Sequence, residues 1–108
     1  MAMMNEISPI ELNDRLAGDV PPVVLDVRED WELALASLDG VVHIPMGQIP
    51  DRLSELQKDD EIAVLCHHGG RSGQVVAFLK QSGFTRVINV TGGIDAWSRD
   101  VDTGIPEY

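Results

Sequence analysis

The chain has little positive charge, a single cysteine and few aromatic residues. Eight Lys and Arg stand against eighteen Asp and Glu, a formal net charge of −10 at pH 7. Nucleic-acid binding takes clustered Lys and Arg, so this composition argues against a nucleic-acid partner. One cysteine in 108 residues cannot form an intramolecular disulfide. A functional free thiol is best kept in a reducing compartment, and the expected location is cytoplasmic. The apolar runs are strand-sized and none approaches a membrane span, so no membrane partner is expected. Residues 1–6, MAMMNE, lack the basic and apolar regions of a secretory leader. Nothing is low-complexity, and 44% apolar residues is ordinary for a folded protein. The length predicts one domain over residues 1–108, built on one core.

What is present begins with well-punctuated elements. Ser8-Pro9-Ile10-Glu11 reads as a helix start: Ser8 as N-cap, Pro9 at the first helical position, Glu11 completing a capping box. Ile7 and Leu12 are placed for a hydrophobic staple, and Gly18 ends the helix. Pro21-Pro22 precede the strand Val23–Val27, an almost unbroken apolar run that suggests burial on both faces, as in a parallel sheet. Asp26 and Arg28 put charge at its end, and Glu29, Asp30, Trp31 and Glu32 follow. The plain reading is a loop and a solvated helix start with acids at the positive helix end. The sharper reading pairs one of these carboxylates with an arginine at the same sheet edge. Spacing favours the plain one.

Trp31, Leu33, Leu35 and Leu38 are expected in the core, as is Trp97. A second strand spans Val41–Ile44, with His43 expected as a hydrogen-bonded structural histidine. Ile49, Leu53 and Leu56 sit at helical spacing on a short amphipathic helix. Strands follow at Ile62–Leu65 and Val87–Val90, with a helix between them that ends at Gly83. A short helical piece carries Ile94, Ala96 and Trp97, and the tail from Val101 to Tyr108 is expected to run irregularly over the surface. Strand alternating with helix predicts an α/β domain with a parallel sheet. Ligands of such sheets bind at the carboxyl ends of the strands. Cys66, Asp26 and the Gly92-Gly93 turn all fall there, on one rim.

The stretch Ile62 to Leu79, IAVLCHHGGRSGQVVAFL, concentrates the chemistry. A strand stops at Cys66; His67, His68, Gly69 and Gly70 form a loop; Arg71 and Ser72 open a helix. A helix start offers unpaired N–H groups and the positive end of its dipole, which favour the thiolate, the nucleophilic form of cysteine. Cys66 is therefore read as a nucleophile, not as a small buried hydrophobe. The two glycines allow positive φ and close backbone approach, so N–H groups converge into an anion nest with Arg71 at its edge. Six residues from Cys66 to Arg71 suit one extra sulfur, a persulfide. A phosphate needs room for three oxygens and a wider loop. The two histidines invite a metal, but three consecutive residues do not easily complete a tetrahedral shell, and no metal or cofactor is expected.

The loop C-H-H-G-G-R-S at 66–72 resembles that of the rhodanese family of sulfurtransferases. So do I-S-P-I-E-L at 7–12, L-D-V-R-E at 25–29, H-I-P at 43–45 and G-G-I-D-A-W-S at 92–98, in the same order. The resemblance implies a three-layer α/β/α fold, a five-stranded and mainly parallel sheet flanked by helices, with the active loop after the fourth strand. It implies that Cys66 takes a sulfane sulfur from a small anionic donor such as thiosulfate and yields it to cyanide or a thiol. Residues 67–71 would hold the persulfide, and Arg71 would bind the donor or hold the loop rim. Asp26, Arg28, Glu32 and Ser72 are supporting candidates. Glu32 stands where related dual-specificity phosphatases, which have one more residue between cysteine and arginine, carry a glutamate that contacts the arginine.

Three other readings remain. The first is a persulfide carrier or docking module for a sulfur-relay protein, read through the acidic surface. The second is a phosphatase, against which the short loop counts. The third is a redox sensor, weakened by the lack of a resolving cysteine.

Overall fold

The structure is a computed structural model that describes residues 5–108; residues 1–4, part of the segment weighed as a leader, lie outside the described residues. In chain order the elements are β1 (Glu6–Ile7), α1 (Pro9–Leu16), β2 (Val23–Asp26), α2 (Asp30–Leu35) and β3 (Val42–His43). After two 3₁₀ segments, Met46–Gln48 and Pro50–Glu55, come β4 (Ile62–Leu65), α3 (Gly70–Gln81), β5 (Val87–Val90) and α4 (Gly93–Asp100). The strands form one sheet in the order β1-β5-β4-β2-β3, and every pairing is parallel. No described helix is long and apolar enough to cross a membrane.

Parallel strands need cover on both faces, and the side chains divide accordingly. Ile62, Val64 and Cys66 face a core made with Val75, Val76 and Leu79 of α3 and with Ile49 and Leu56. Ala63 and Leu65 face the opposite core, with Leu12 of α1 and Ile94 and Trp97 of α4. All four residues of β4 are buried, which explains why its sequence is apolar throughout instead of alternating.

The caps follow their residues. Ser8 Oγ accepts from the Glu11 N–H at 3.1 Å, and Pro9 opens α1. At the far end of α3, Gly83 adopts φ +97°, while Phe84 N–H donates to Leu79 O and Gly83 N–H to Lys80 O. That is a Schellman end, and it seats Phe84 in the core beside Leu79.

Three expectations are corrected. The amphipathic helix at Ile49–Leu56 is 3₁₀, with i→i+3 bonds such as Arg52 N–H to Ile49 O and Leu56 N–H to Leu53 O. Pro45 and Pro50 have no N–H to offer an α-helical ladder there. Trp31 and Leu35 are not core: they are 63% and 50% exposed. Helix α2 has only six residues, and the side chain it turns inward is Glu32, which is 2% exposed. A carboxylate occupies the place expected for the apolar residues. The tail is irregular, as expected, but it does not stay clear of the interior. Its Tyr108 ring stacks on His67, with centroids 3.9 Å apart.

Candidate active site

Strand β4 delivers Cys66 to the carboxyl edge of the sheet, between β2 and β5. The loop then turns through Gly69 at φ +104° into the first turn of α3. A side chain at Gly69 would be strained by that φ and would crowd the Gly92 nitrogen at 3.3 Å. Gly69 N–H donates to Cys66 Sγ at 3.0 Å. The N–H groups of Gly70, Arg71 and Ser72 belong to the first turn of α3, where no intrahelical acceptor exists.

The loop carbonyls are held from outside. Ile94 N–H donates to Cys66 O at 2.9 Å and Asp95 N–H to His67 O at 3.1 Å. The start of α4 thus draws both carbonyls toward itself. Contact is so close that a Cβ on Gly93 would lie 2.3 Å from Cys66 O and 2.5 Å from His67 O. The Gly92-Gly93 pair, legible in sequence only as a turn, is a clamp on the loop.

Behind the sulfur sit Ser72 and Asn89. Ser72 Oγ lies 3.2 Å from Cys66 Sγ and donates to Asn89 Oδ1. The Asn89 amide N–H₂ donates to Gly69 O at 3.2 Å. Asn89 was missed in the sequence, although a polar residue within Val87-Ile88-Asn89-Val90 is a usable signal, since buried polar groups need partners.

Arg71 is one-third exposed at the rim and meets Glu32 in a bidentate pair, Nη1 to Oε2 at 2.7 Å and Nη2 to Oε1 at 2.6 Å. Glu32 Oε2 also accepts from Glu29 N–H at 2.8 Å, and Oε1 accepts from the Tyr108 hydroxyl at 2.9 Å. The Arg71 bonds, reinforced by the Glu29 N–H and Tyr108, hold the Glu32 carboxyl down at about 2 against the opposing effect of burial. Glu32 in turn raises the Arg71 guanidinium further above its ordinary range.

Asp26 and Arg28 make no side-chain hydrogen bond with Cys66. They pair with each other, fully buried, with Arg28 Nη2 2.8 Å from Asp26 Oδ2. Arg28 also donates to Ala36 O and to the Tyr108 hydroxyl, each at 2.8 Å. His43 Nε2 is 2.6 Å from Arg28 O, the structural role expected for it. Tyr108 therefore joins the Asp26–Arg28 pair to Glu32–Arg71, and nothing in an irregular tail distinguishes it beforehand except that it is the chain's one tyrosine.

His67 lies between the rings of Tyr108 and His68. Burial, with some help from His68, lowers its affinity for a proton. His68 is exposed, with Nε2 3.8 Å from Asp95 Oδ2. Donor atoms of His67, His68 and Asp95 lie within 4.8 Å of one another, the one such group among the described residues. The Asp95 carboxylate is already engaged by Arg99.

Known proteins resemble this chain in sequence and in fold. The sequence matches the rhodanese-like domain over residues 8–100. It is 40% identical over 97 residues to a sulfurtransferase of Allochromatium vinosum, covering 90% of this chain and 91% of that one. It is 41% identical over 93 residues to the putative sulfur carrier protein YrkF of Bacillus subtilis, covering 86% of this chain but 50% of that protein. The fold superposes on the crystal structure of a rhodanese-like domain protein from Staphylococcus aureus with a TM-score of 0.85 at 34% identity, covering 97% and 99% of the two chains. A cysteine-bearing loop at the edge of a five-stranded parallel sheet, in a chain matched in sequence over most of its length, has one assignment: the chain belongs to the rhodanese-like domain family.

Proposed function

We propose that this protein is a sulfurtransferase that works through a persulfide on Cys66. The observation that carries the reading is the loop itself. Gly69 N–H points at Sγ from 3.0 Å, with the first turn of α3 behind it, in a six-residue turn suited to one added sulfur. The Cys66 thiolate attacks the outer sulfur of a donor, thiosulfate in the usual assay. The new S–S bond forms at Cys66, the donor's S–S bond breaks, and sulfite leaves with its electron pair. A thiophilic acceptor, cyanide or a thiol, then attacks the outer sulfur and Cys66 leaves as thiolate. Two displacements through a covalent intermediate predict ping-pong kinetics.

The loop N–H groups of residues 67–71 stabilise the persulfide anion. Ser72 is the polar neighbour of the sulfur, and Arg71, held by Glu32, keeps the loop rim in place. Asp26 and Arg28 support that rim from below through Tyr108. Among relatives, one named a sulfurtransferase matches over nearly its full length, which supports the reading.

A second reading is a persulfide carrier that hands sulfur to a relay protein; the half-length match to a putative sulfur carrier protein favours it. One experiment separates the two. Incubation with a sulfur donor should add one sulfur to Cys66 by mass spectrometry, and cyanide should then release thiocyanate; Cys66→Ser should do neither. Persulfide without turnover points to the carrier. Hydrolysis of an aryl phosphate without any persulfide would sink both.

A further inference from the structure

Within that reading, we infer that the site selects donors carrying at most one negative charge, an organic persulfide R–S–SH or its anion, and disfavours the thiosulfate dianion. The grounds are the charges at the loop mouth. Both terminal nitrogens of Arg71 are bonded to Glu32, and Glu32 stays ionised because its carboxyl is held near the bottom of the pH scale. Arg28 is buried against Asp26. Arg99 is engaged by Asp95, with Glu107 at 3.6 Å. Each arginine near the loop is matched by a carboxylate.

Among the described residues, the remaining cations considered do not compensate for this. Burial disfavours the charged form of His67, and the exposed His68 faces Asp95. Lys58 lies beside Gly83 and Lys80 is in the last turn of α3, at the end of the helix away from the loop. The chain as a whole carries −10. What remains for an anion is the set of backbone N–H groups, enough for one charged sulfur but without a counter-ion for a sulfonate outside the loop. Cys66 is 1% exposed, so a donor must insert its outer sulfur while the rest stays at the loop rim, where Arg71 and Arg99 are already paired with Glu32 and Asp95.

The chemistry balances for the preferred donor. The Cys66 thiolate attacks the outer sulfur of R–S–SH, an S–S bond forms at Cys66, and the donor's S–S bond breaks. The electron pair leaves on R–S⁻, a singly charged thiolate, and the proton stays on the transferred sulfur or passes to solvent. With thiosulfate the leaving group is the sulfite dianion, and its charge develops against the same carboxylates.

The test follows single-turnover loading of Cys66 by mass spectrometry. The donors are thiosulfate and the persulfide of N-acetylcysteine methyl ester, each at low and high NaCl. Salt should accelerate thiosulfate loading about tenfold by screening repulsion and change persulfide loading less than about threefold. Glu32→Gln, which releases the Arg71 guanidinium, should raise the ratio of thiosulfate loading to persulfide loading at low salt by about tenfold. Thiosulfate loading that slows with salt would overturn the inference, as would a folded Glu32→Gln protein whose ratio of thiosulfate to persulfide loading is no higher than the parent's. Should that variant fail to fold, the salt series on the parent protein decides alone. If neither donor adds sulfur to Cys66, the sulfurtransferase reading falls first and the inference with it.

Discussion

Replacing Glu32 by Gln probes the network that ties α2 and the tail to the active loop. The carboxylate accepts four hydrogen bonds, two from Arg71, one from Glu29 N–H and one from Tyr108. A glutamine keeps one acceptor oxygen and turns an N–H₂ group toward donors. The magnitude follows from the proton affinity of the group. Its folded value is about 2 against an ordinary 4.5, and a difference of that size corresponds to about 3 kcal/mol. The Glu32 side chain is 3% exposed but Arg71 is 36% exposed, so solvent screening at the arginine end brings the figure to about 2–3 kcal/mol.

The sign is set by the lowered folded value. Stability from Glu32 is fully present above the unfolded value of 4.5 and is lost as pH falls from there toward 2. Urea unfolding followed by tryptophan fluorescence should therefore show Glu32→Gln about 2–3 kcal/mol less stable at neutral pH, with the gap narrowing progressively as pH falls from 4.5 toward about 2. A gap under about 1 kcal/mol at neutral pH, or one that does not narrow on acidification, would refute the network as described.

Two further substitutions test how the site is built. Gly93→Ala places a methyl 2.3 Å from Cys66 O at a φ of +60°, and should cost about 2 kcal/mol or more and slow Cys66 persulfide formation; Gly47→Ala, with open space around it, should stay within about 0.5 kcal/mol in the same denaturation series. Trp97→Ala, a change at a residue 6% exposed, should cost about 3–5 kcal/mol, whereas Trp31→Ala, at 63% exposed, should cost under about 1 kcal/mol; equal losses would contradict the burial of these two rings.

Much of this protein is local in origin and so could be read from its residues. The Ser8-Pro9 helix start depends on side chains one to three positions apart, and the Gly83-Phe84 helix end on bonds spanning a single turn. The apolar run Ile62–Leu65 announces a strand covered on both faces, because a strand so placed has no polar side. The loop from Cys66 to Arg71 occupies six consecutive positions, so thiol, glycine turn and helix start are visible together.

Polar partnerships across the sheet edge are of another kind. Glu32 meets Arg71 across 39 positions and Tyr108 across 76, and Ser72 meets Asn89 across 17. Periodicity says which positions are covered, but it cannot say whether the covered side chain is a leucine or a carboxylate with donors waiting for it. That is why spacing places Trp31 and Leu35 inside, where they are not, whereas the Glu32–Arg71 pair that α2 makes is pointed to by the family resemblance and not by periodicity. The α/β architecture and the thiol loop follow from the residues alone, since both rest on short-range spacing and burial. That the loop arginine is already neutralised emerges from long-range packing, because burying Glu32 depends on Arg71, Tyr108 and the Glu29 N–H converging from three separate segments.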